Sequence, residues 1–389
     1  MMAGQPGRGS ETGDTAGRPR RVLIAGGGTG GHLMPALAIA EAMRSAGWRV
    51  AMVGAERGVE AVVLPTRDLA YTLLPFEPIY RRQWWRNLRW PWLALRILRQ
   101  VGGLLDRERP DLVMGTGGYV SGPVVWLAAR RRIPTAILEQ DALPGLATRW
   151  LAGRVDRVFL GAPEAAPHLR PGSATEVVVT GSPILRPTPE RRPAARARFG
   201  LLDDRPVVLI TGGSQGSLAI NELVAGWLEL AEGTLGDRLT ILWITGRNTG
   251  DRFRRWQAPP AVQVIEFLDP MADGYAVADL VVGRAGMMTI AEISAWGLAS
   301  ILIPLPSAAA DHQSKNAAAL AAAGAAIHLP QAGLDPMRFG EMITGLLGDP
   351  TRLTGLRTAA LRRGRPEALT TIADHLRALA SRQPTFSNS

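Results

Sequence analysis

Short apolar runs recur along the chain, separated by turn residues and by stretches with helical spacing. In the first half the runs fall at 21–25, 49–53, 71–74, 111–114, 135–138, 156–159 and 176–179, with helical patterns at 33–46, 90–107, 121–130 and 145–152. In the second half the runs fall at 207–211, 239–244, 262–266, 279–282, 300–303 and 325–328, with helical patterns at 216–231, 286–297, 311–323 and 337–347. Continuous apolar runs alternating with helices predict parallel sheets covered on both faces. Leu185–Pro193, rich in proline and charge, reads as a linker. The expected architecture is therefore α/β, with two similar domains over 20–184 and 185–366 facing each other across a cleft, after a disordered tail at 1–19.

The stretch Val22-Leu-Ile-Ala-Gly-Gly-Gly-Thr-Gly-Gly-His32 places an apolar strand directly before a glycine cluster, and a helix pattern containing Pro35 follows. A proline is harmless in a helix's first turn, where its missing N–H has no partner anyway. Glycines admit a close backbone approach, and free N–H groups at a helix start favour an anion. Gly26, Gly28 and Gly31 match the dinucleotide fingerprint, a weak signal alone. A second strand, glycine turn and helix, Val207-Val-Leu-Ile-Thr-Gly-Gly-Ser-Gln-Gly-Ser217, opens the other half. The repetition predicts that a nucleotide-linked substrate lies between the two domains.

Composition narrows the chemistry. The chain has 389 residues, no cysteine and a formal charge of +10. Disulfides, zinc-thiolate sites and thiol nucleophiles are excluded. Lys315 is the one lysine, so neither glycine turn has the lysine of an ATP-hydrolysing phosphate loop. The uncharged stretches 112–129 and 293–310 are interrupted by glycine and proline and read as buried strand-turn-helix pieces. The excess of arginine implies acidic substrates or an anionic surface, and no nucleic-acid recognition signature accompanies it. Residues 79–100 carry Trp84, Trp85, Trp90 and Trp92 among six arginines. Indoles and arginines suit a lipid headgroup layer. The same segment also reads as a packed helix with a solvated basic face, because Leu93, Leu95, Ile97 and Leu98 suit ordinary core.

Further motifs stand in order: Gly117-Gly-Tyr-Val-Ser-Gly-Pro123, Glu139-Gln-Asp141 with Pro144-Gly-Leu146, Arg284-Ala-Gly286 with Thr289 and Glu292, and Asp311-His-Gln313 with Asn316-Ala317. With the two glycine turns, this ordered set resembles the MurG family of N-acetylglucosaminyltransferases over residues 20 to 380. The resemblance implies two Rossmann-like domains in the GT-B arrangement, with the last helix, 367–382, packing back on the first. It also implies inverting transfer of N-acetylglucosamine from UDP-N-acetylglucosamine to the 4-hydroxyl of the muramoyl sugar of undecaprenyl-diphosphate-linked lipid I. The expected setting is the cytoplasmic face of the cell membrane, held peripherally on an anionic surface, with cell-wall and division proteins as possible partners and no cofactor.

The chain has no Asp-x-Asp pair to hold a metal, so backbone N–H groups at helix starts are the expected stabilisers of the leaving UDP. The resemblance assigns Ser214, Met287, Met288 and Thr289 to the donor phosphates and sugar, Glu292 to the ribose diol, Gln313 to sugar hydroxyls and Arg284 to the uracil end. The backbone of Ile265–Leu268, Leu268 included, is expected to border the base. Thr29, Gly30, Gly31 and Asp141 are counted toward the donor. Tyr119 (with Thr29), Gly118 and Ser121 are expected to line the acceptor diphosphate and sugar. His32 is the natural proton acceptor, since its pKa lies near neutrality; Glu139 is the rival, as base or as a partner orienting His32. Three positions depart from the family pattern: Asp141 and Thr148 stand where asparagine is usual, and Leu185 stands where an arginine is usual, with Arg186 one place late.

Other classes of function give different expectations. A related transferase acting on another lipid or secondary metabolite would lack the Gly117–Pro123 motif. An inactive sugar-nucleotide sensor would bind donor without turnover. A nicotinamide dehydrogenase would use Gly26–Gly31 and Glu56, and would leave Gly212–Gly216 unexplained.

Overall fold

A computed structural model describes residues 18–77, 90–201, 204–213, 215–231, 235, 238–247, 249–308 and 311–381. Most of the 1–19 tail, together with Trp84, Trp85 and Ser214, lies outside the described residues, as do the side chains of Trp90 and Pro91.

The first sheet contains β1 (Arg21–Ala25), β2 (Arg49–Ala55), β3 (Ala70–Leu74), β4 (Leu112–Gly115), β5 (Thr135–Glu139), β6 (Arg157–Leu160) and β7 (Glu176–Val179). The second contains β8 (Val207–Thr211), β9 (Thr240–Ile244), β10 (Val262–Ile265), β11 (Leu280–Gly283), β12 (Ala299–Leu302) and β13 (Ile327–His328). Their orders are β3-β2-β1-β4-β5-β6-β7 and β10-β9-β8-β11-β12-β13. All pairings are parallel, for instance Ile24 with Met114 and Ile210 with Val282. Both faces of the central strands are therefore covered, and Val22–Ala25, Val207–Thr211 and Leu280–Gly283 are buried throughout.

Each sheet reverses direction at its first strand: β1 lies between β2 and β4, and β8 between β9 and β11. Such a switch point opens a crevice at the carboxyl ends of the strands, where ligands bind in open α/β sheets. The two glycine turns follow β1 and β8, so both halves aim their turns into switch points.

The chain passes between the halves twice. The segment expected to be a linker is partly built into the second half. Pro189–Arg191 is a 3-10 turn, Arg192–Arg198 is a helix, and Arg191 and Arg198 each pair with Asp273 at 2.6 Å. Helix Pro350–Arg363 closes the second half, and Arg363 reaches Glu164 of the first at 2.8 Å. Helix Ala368–Ser381 then packs on the first sheet's other face. Its Ile372, Leu376 and Leu379, on one face at i, i+4 and i+7, join Leu33, Ile39, Met43 and Phe159 in one core. The last helix thus completes the first half's hydrophobic layer.

Candidate active site at the paired switch points

In the first half the turn after β1 abuts the turn after β4. Helix Gly30–Ser45 begins inside the glycine run, three residues before the expected start, with Thr29 as its N-cap. Thr29 and Gly31 are exposed and Gly30 is half-buried; the Thr29 carbonyl accepts the N–H groups of His32 and Leu33 at 3.2 and 3.1 Å. The half-buried His32 imidazole lies flat against the second glycine pair. A Cβ on Gly117 would stand 2.6 Å from His32 Nδ1, and one on Gly118 would stand 2.1 Å from the Gly27 carbonyl oxygen. Both glycines have positive φ, 105° and 74°, so this contact needs glycine for conformation as well as for space. Thr116 Oγ1 donates to the His32 carbonyl at 2.9 Å. Burial holds the imidazole below its ordinary pKa, opposed by Asp141 and aided by His312. The neutral ring is then the resting form, the one able to accept a proton.

Beneath this turn lies a residue that the sequence did not single out. Glu60 is fully buried, and its Oε1 accepts the N–H groups of Gly28 at 2.8 Å and Ala55 at 3.1 Å. The first glycine turn thus spends a donor on an internal carboxylate. The Gly28 N–H is therefore not free to meet a ligand, which counts against the dinucleotide reading of Gly26–Gly31. The only advance signal was a glutamate beginning a short helix after Gly58.

Tyr119 packs its ring on Gly28, and its hydroxyl donates to the Arg57 carbonyl at 3.4 Å. Ser121 corrects an expectation. It is 2% exposed, its hydroxyl lies 2.7 Å from the carbonyls of both Ala25 and Gly117, and it accepts the Gly117 N–H at 3.0 Å. It ties the turn to β1 and has nothing left for an acceptor.

The loop after β5 joins the halves. Buried Glu139 accepts the N–H groups of Asp141 and Gly145 at 3.1 and 3.0 Å, one on each oxygen. Burial raises its pKa despite these bonds and one from Thr148. Gln140 Nε2 donates to the Gly31 carbonyl at 2.7 Å. Asn316, from the second half, donates to Asp141 Oδ1 and accepts the Ala142 N–H, both at 2.9 Å.

In the second half, the turn Gly212–Ser217 presses on the turn after β9. Gly216 and Gly246, with φ of 76° and 95°, meet backbone to backbone, where a Cβ on Gly216 would lie 2.1 Å from the Thr245 carbonyl oxygen. Gly246 was not foreseen, because Thr-Gly after a strand is common. Arg284 follows β11 and is 8% exposed. Its guanidinium donates to the Ile303 and Pro304 carbonyls at 3.1 and 3.0 Å and to Ser217 Oγ at 2.7 Å. Burial lowers its pKa. Strands β8 and β9 separate it from β10, a distance of about 14 Å at roughly 4.8 Å per strand. Its expected place at the base end, beside Ile265–Leu268, is corrected: it braces the glycine turn.

Helix Met287–Trp296 starts at Gly286 with no side-chain cap, and half-buried Met287, Met288 and Thr289 carry its first N–H groups. Further along, Glu292 Oε2 accepts the hydroxyl of buried Tyr275 at 2.8 Å. Burial raises the Glu292 pKa, and the Tyr275 bond counters it. Tyr275 was missed because its helix, Met271–Val277, is too short to show a period. Gln313 accepts the Leu305 N–H through Oε1 at 3.0 Å, which leaves its amide N–H donors for a ligand. The Leu268 side chain is core, 4% exposed, so only its backbone can border a base. Beside it, Arg247 stacks on Phe267 at 3.9 Å. Leu185 is exposed, and Arg186 does not replace the absent arginine: it pairs with Glu367, with Nε at 2.8 Å. No cluster of His, Asp or Glu suited to a metal occurs among the described residues.

Residues 22–160 match the glycosyltransferase family 28 N-terminal domain, and residues 207–372 match the C-terminal domain of that family. The chain is 38% identical over 374 residues to the UDP-N-acetylglucosamine–N-acetylmuramyl-(pentapeptide) pyrophosphoryl-undecaprenol N-acetylglucosamine transferase of Salinibacter ruber, covering 95% of this chain and 99% of that one. The protein of the same name from Carboxydothermus hydrogenoformans is 38% identical over 366 residues, covering 92% and 97%. Among solved structures, MurG of Acinetobacter baumannii superposes with a TM-score of 0.73 at 28% identity, covering 92% of this chain and all of that one. The paired switch points are thus those of a GT-B glycosyltransferase, and the chain belongs to glycosyltransferase family 28, in its MurG branch.

Proposed function

We propose that this chain transfers N-acetylglucosamine from UDP-N-acetylglucosamine to the 4-hydroxyl of the muramoyl sugar of lipid I, with inversion, giving lipid II. The observation that carries the division of labour is the contrast between the two glycine turns. The first gives its Gly28 N–H to Glu60. The second is braced by a buried arginine beside an uncapped helix start, an arrangement that favours the donor diphosphate.

In this reading Glu292, held by Tyr275, accepts the ribose hydroxyls, and Gln313 donates to the sugar. Gly118 and Tyr119, with Thr29, border the acceptor, and Gly30 and Gly31 stay counted toward the donor. The hydroxyl loses its proton to His32 as its oxygen bonds to the sugar's anomeric carbon, and the bond to UDP breaks with its electron pair leaving on the phosphate. Nδ1 of His32 is buried, so Nε2 is the accepting nitrogen. Glu139, with both oxygens engaged by its own turn, serves as the orienting partner.

The membrane-facing reading rests on exposed apolar and basic groups. Trp92 is 79% exposed. On the next helices of the same half, Leu146 and Trp150 are exposed, and Arg130 and Arg154 stack on Trp126 and Trp150 at 5.2 and 4.6 Å. No described helix is long and apolar enough to cross a membrane. Peripheral attachment to an anionic membrane surface is the setting these groups favour.

The test is UDP release by the purified chain with UDP-N-acetylglucosamine and a short-chain lipid I analogue, in the presence of chelator. Release that needs both substrates is expected. Donor binding without release would point to another acceptor or to an inactive sensor. His32→Ala with near-normal turnover would move the proton acceptor elsewhere.

A further inference from the structure

Beside the first glycine turn, the carboxyl ends of β2 and β3 open into a cavity of about 400 Å³ that the transfer chemistry leaves unused. Its walls carry Glu56, Arg57, Glu77, Arg96, Phe76 and Trp92. The floor is apolar, since Phe76 belongs to the buried core of the first half. Backbone bonds tie the two strand ends together there, from the N–H groups of Glu56 and Phe76 to the Leu74 carbonyl at 2.9 and 2.7 Å. Glu56, Arg57 and Arg96 stand exposed around it. The volume lies in the range of a small-ligand site, about 300–1,000 Å³.

Hydrogen bonds join this cavity to the acceptor turn. Tyr119, whose ring packs on Gly28, donates its hydroxyl to the Arg57 carbonyl at 3.4 Å. Glu60 Oε1 accepts the N–H groups of Gly28 and of Ala55, the residue before Glu56, at 2.8 and 3.1 Å. Strand β3 lies two places from β1, about 10 Å at roughly 4.8 Å per strand. The acceptor of the Salinibacter ruber relative carries a pentapeptide on its muramyl sugar. Five extended residues reach about 17 Å, so a peptide hung from a sugar at the first glycine turn spans the gap.

Charge then selects the occupant. Two carboxylates and two guanidiniums over an apolar floor suit a chain that carries both signs. A guanidinium takes a terminal carboxylate in a charge-assisted pair, and a carboxylate accepts amide or ammonium N–H groups. A lipid phosphate would meet Glu56 and Glu77 as well as the arginines, and like charges across an interface are costly. We propose that this cavity holds the peptide stem of the acceptor, with Arg96 on a carboxylate of the peptide and Glu56 on its N–H groups. This rests on the transfer reading above and adds to it a determinant of acceptor choice.

The test uses two soluble short-chain acceptor analogues with the same muramoyl sugar and diphosphate, one with the whole pentapeptide and one cut after its first residue. Acceptor KM from UDP release, without vesicles, is compared for the parent chain, Glu56→Gln and Arg96→Gln. In the parent the complete analogue is expected to have the lower KM, by tenfold or more. Each substitution should raise that KM about tenfold, the low end for one charged hydrogen bond. The KM for the cut analogue, the KM for UDP-N-acetylglucosamine and kcat should not move. Arg96→Lys should recover part of the loss. Equal KM values for the two analogues in the parent, or an equal rise for both in the variants, overturns the proposal. So does weaker co-sedimentation of Arg96→Gln with anionic vesicles at unchanged acceptor KM, which would assign the arginine to the lipid surface. Calorimetric dissociation constants for the two analogues give the same ratio without turnover. A chain that releases no UDP defeats the transfer reading, whereas that ratio still decides the cavity.

Discussion

Tyr275→Phe removes one oxygen and tests whether Glu292 is a held carboxylate or a passive charge. The ring stays, because Phe fits the same volume and keeps its packing on Trp296 at 6.1 Å. A volume-matched swap costs less than about 1.5 kcal/mol. The lost bond, 2.8 Å from the hydroxyl to Glu292 Oε2, is charge-assisted and contributes about 1.5–3 kcal/mol. If Glu292 binds the ribose diol only in that orientation, much of this appears in donor binding. At about 1.4 kcal/mol per factor of ten, the donor KM should rise about tenfold, with kcat at saturation little changed.

Stability should respond to pH as well. Burial raises the Glu292 pKa in the folded state, and the tyrosine bond partly offsets this. A carboxyl with a raised folded pKa binds its proton more tightly folded than unfolded. Its contribution to stability is therefore present below the unfolded value and is lost as pH rises through the folded value. Without the hydroxyl the folded pKa goes higher still, so the destabilisation should be larger at pH 8 than at pH 4. Donor KM from initial rates and urea midpoints at both pH values check this. An unchanged KM with pH-independent destabilisation would falsify the assignment of Glu292.

Three further outcomes follow from the geometry. Gly118→Ala should abolish turnover and lower stability by more than about 1–2 kcal/mol, the cost of a left-handed alanine, because its Cβ would also strike the Gly27 carbonyl; thermal unfolding measures it. Leu376→Ala, at a fully buried position of the returning helix, should cost about 2–5 kcal/mol, read from urea unfolding, and should weaken the first half although it lies outside that half's sequence. Trp92→Ser with Trp150→Ser should reduce co-sedimentation with anionic vesicles, with UDP release from a soluble acceptor analogue retained; unchanged sedimentation would count against the membrane-facing surface.

Much of this protein is legible in its sequence because its signals are local. Apolar runs such as Val22–Ala25 and Val207–Thr211 are strands buried on both faces, and burial on both faces leaves no alternation to misread. The glycine turns are legible because a tight turn against a helix start tolerates little else. The ordered motifs brought His32, Glu139, Glu292 and Gln313 into view for the same reason. What only the tertiary structure decided are contacts between distant segments. Strand order put Arg284 against Ser217 and away from the base end. Packing buried Ser121, set Glu60 beneath the first glycine turn, and set Tyr275 on Glu292. The fold also carried the last helix back to the first sheet and brought Asn316 to Asp141, 175 residues apart. The physical division is one of range: periodicity and turn chemistry act within a few residues, while charge, burial and hydrogen bonding act on whatever the completed sheets place side by side.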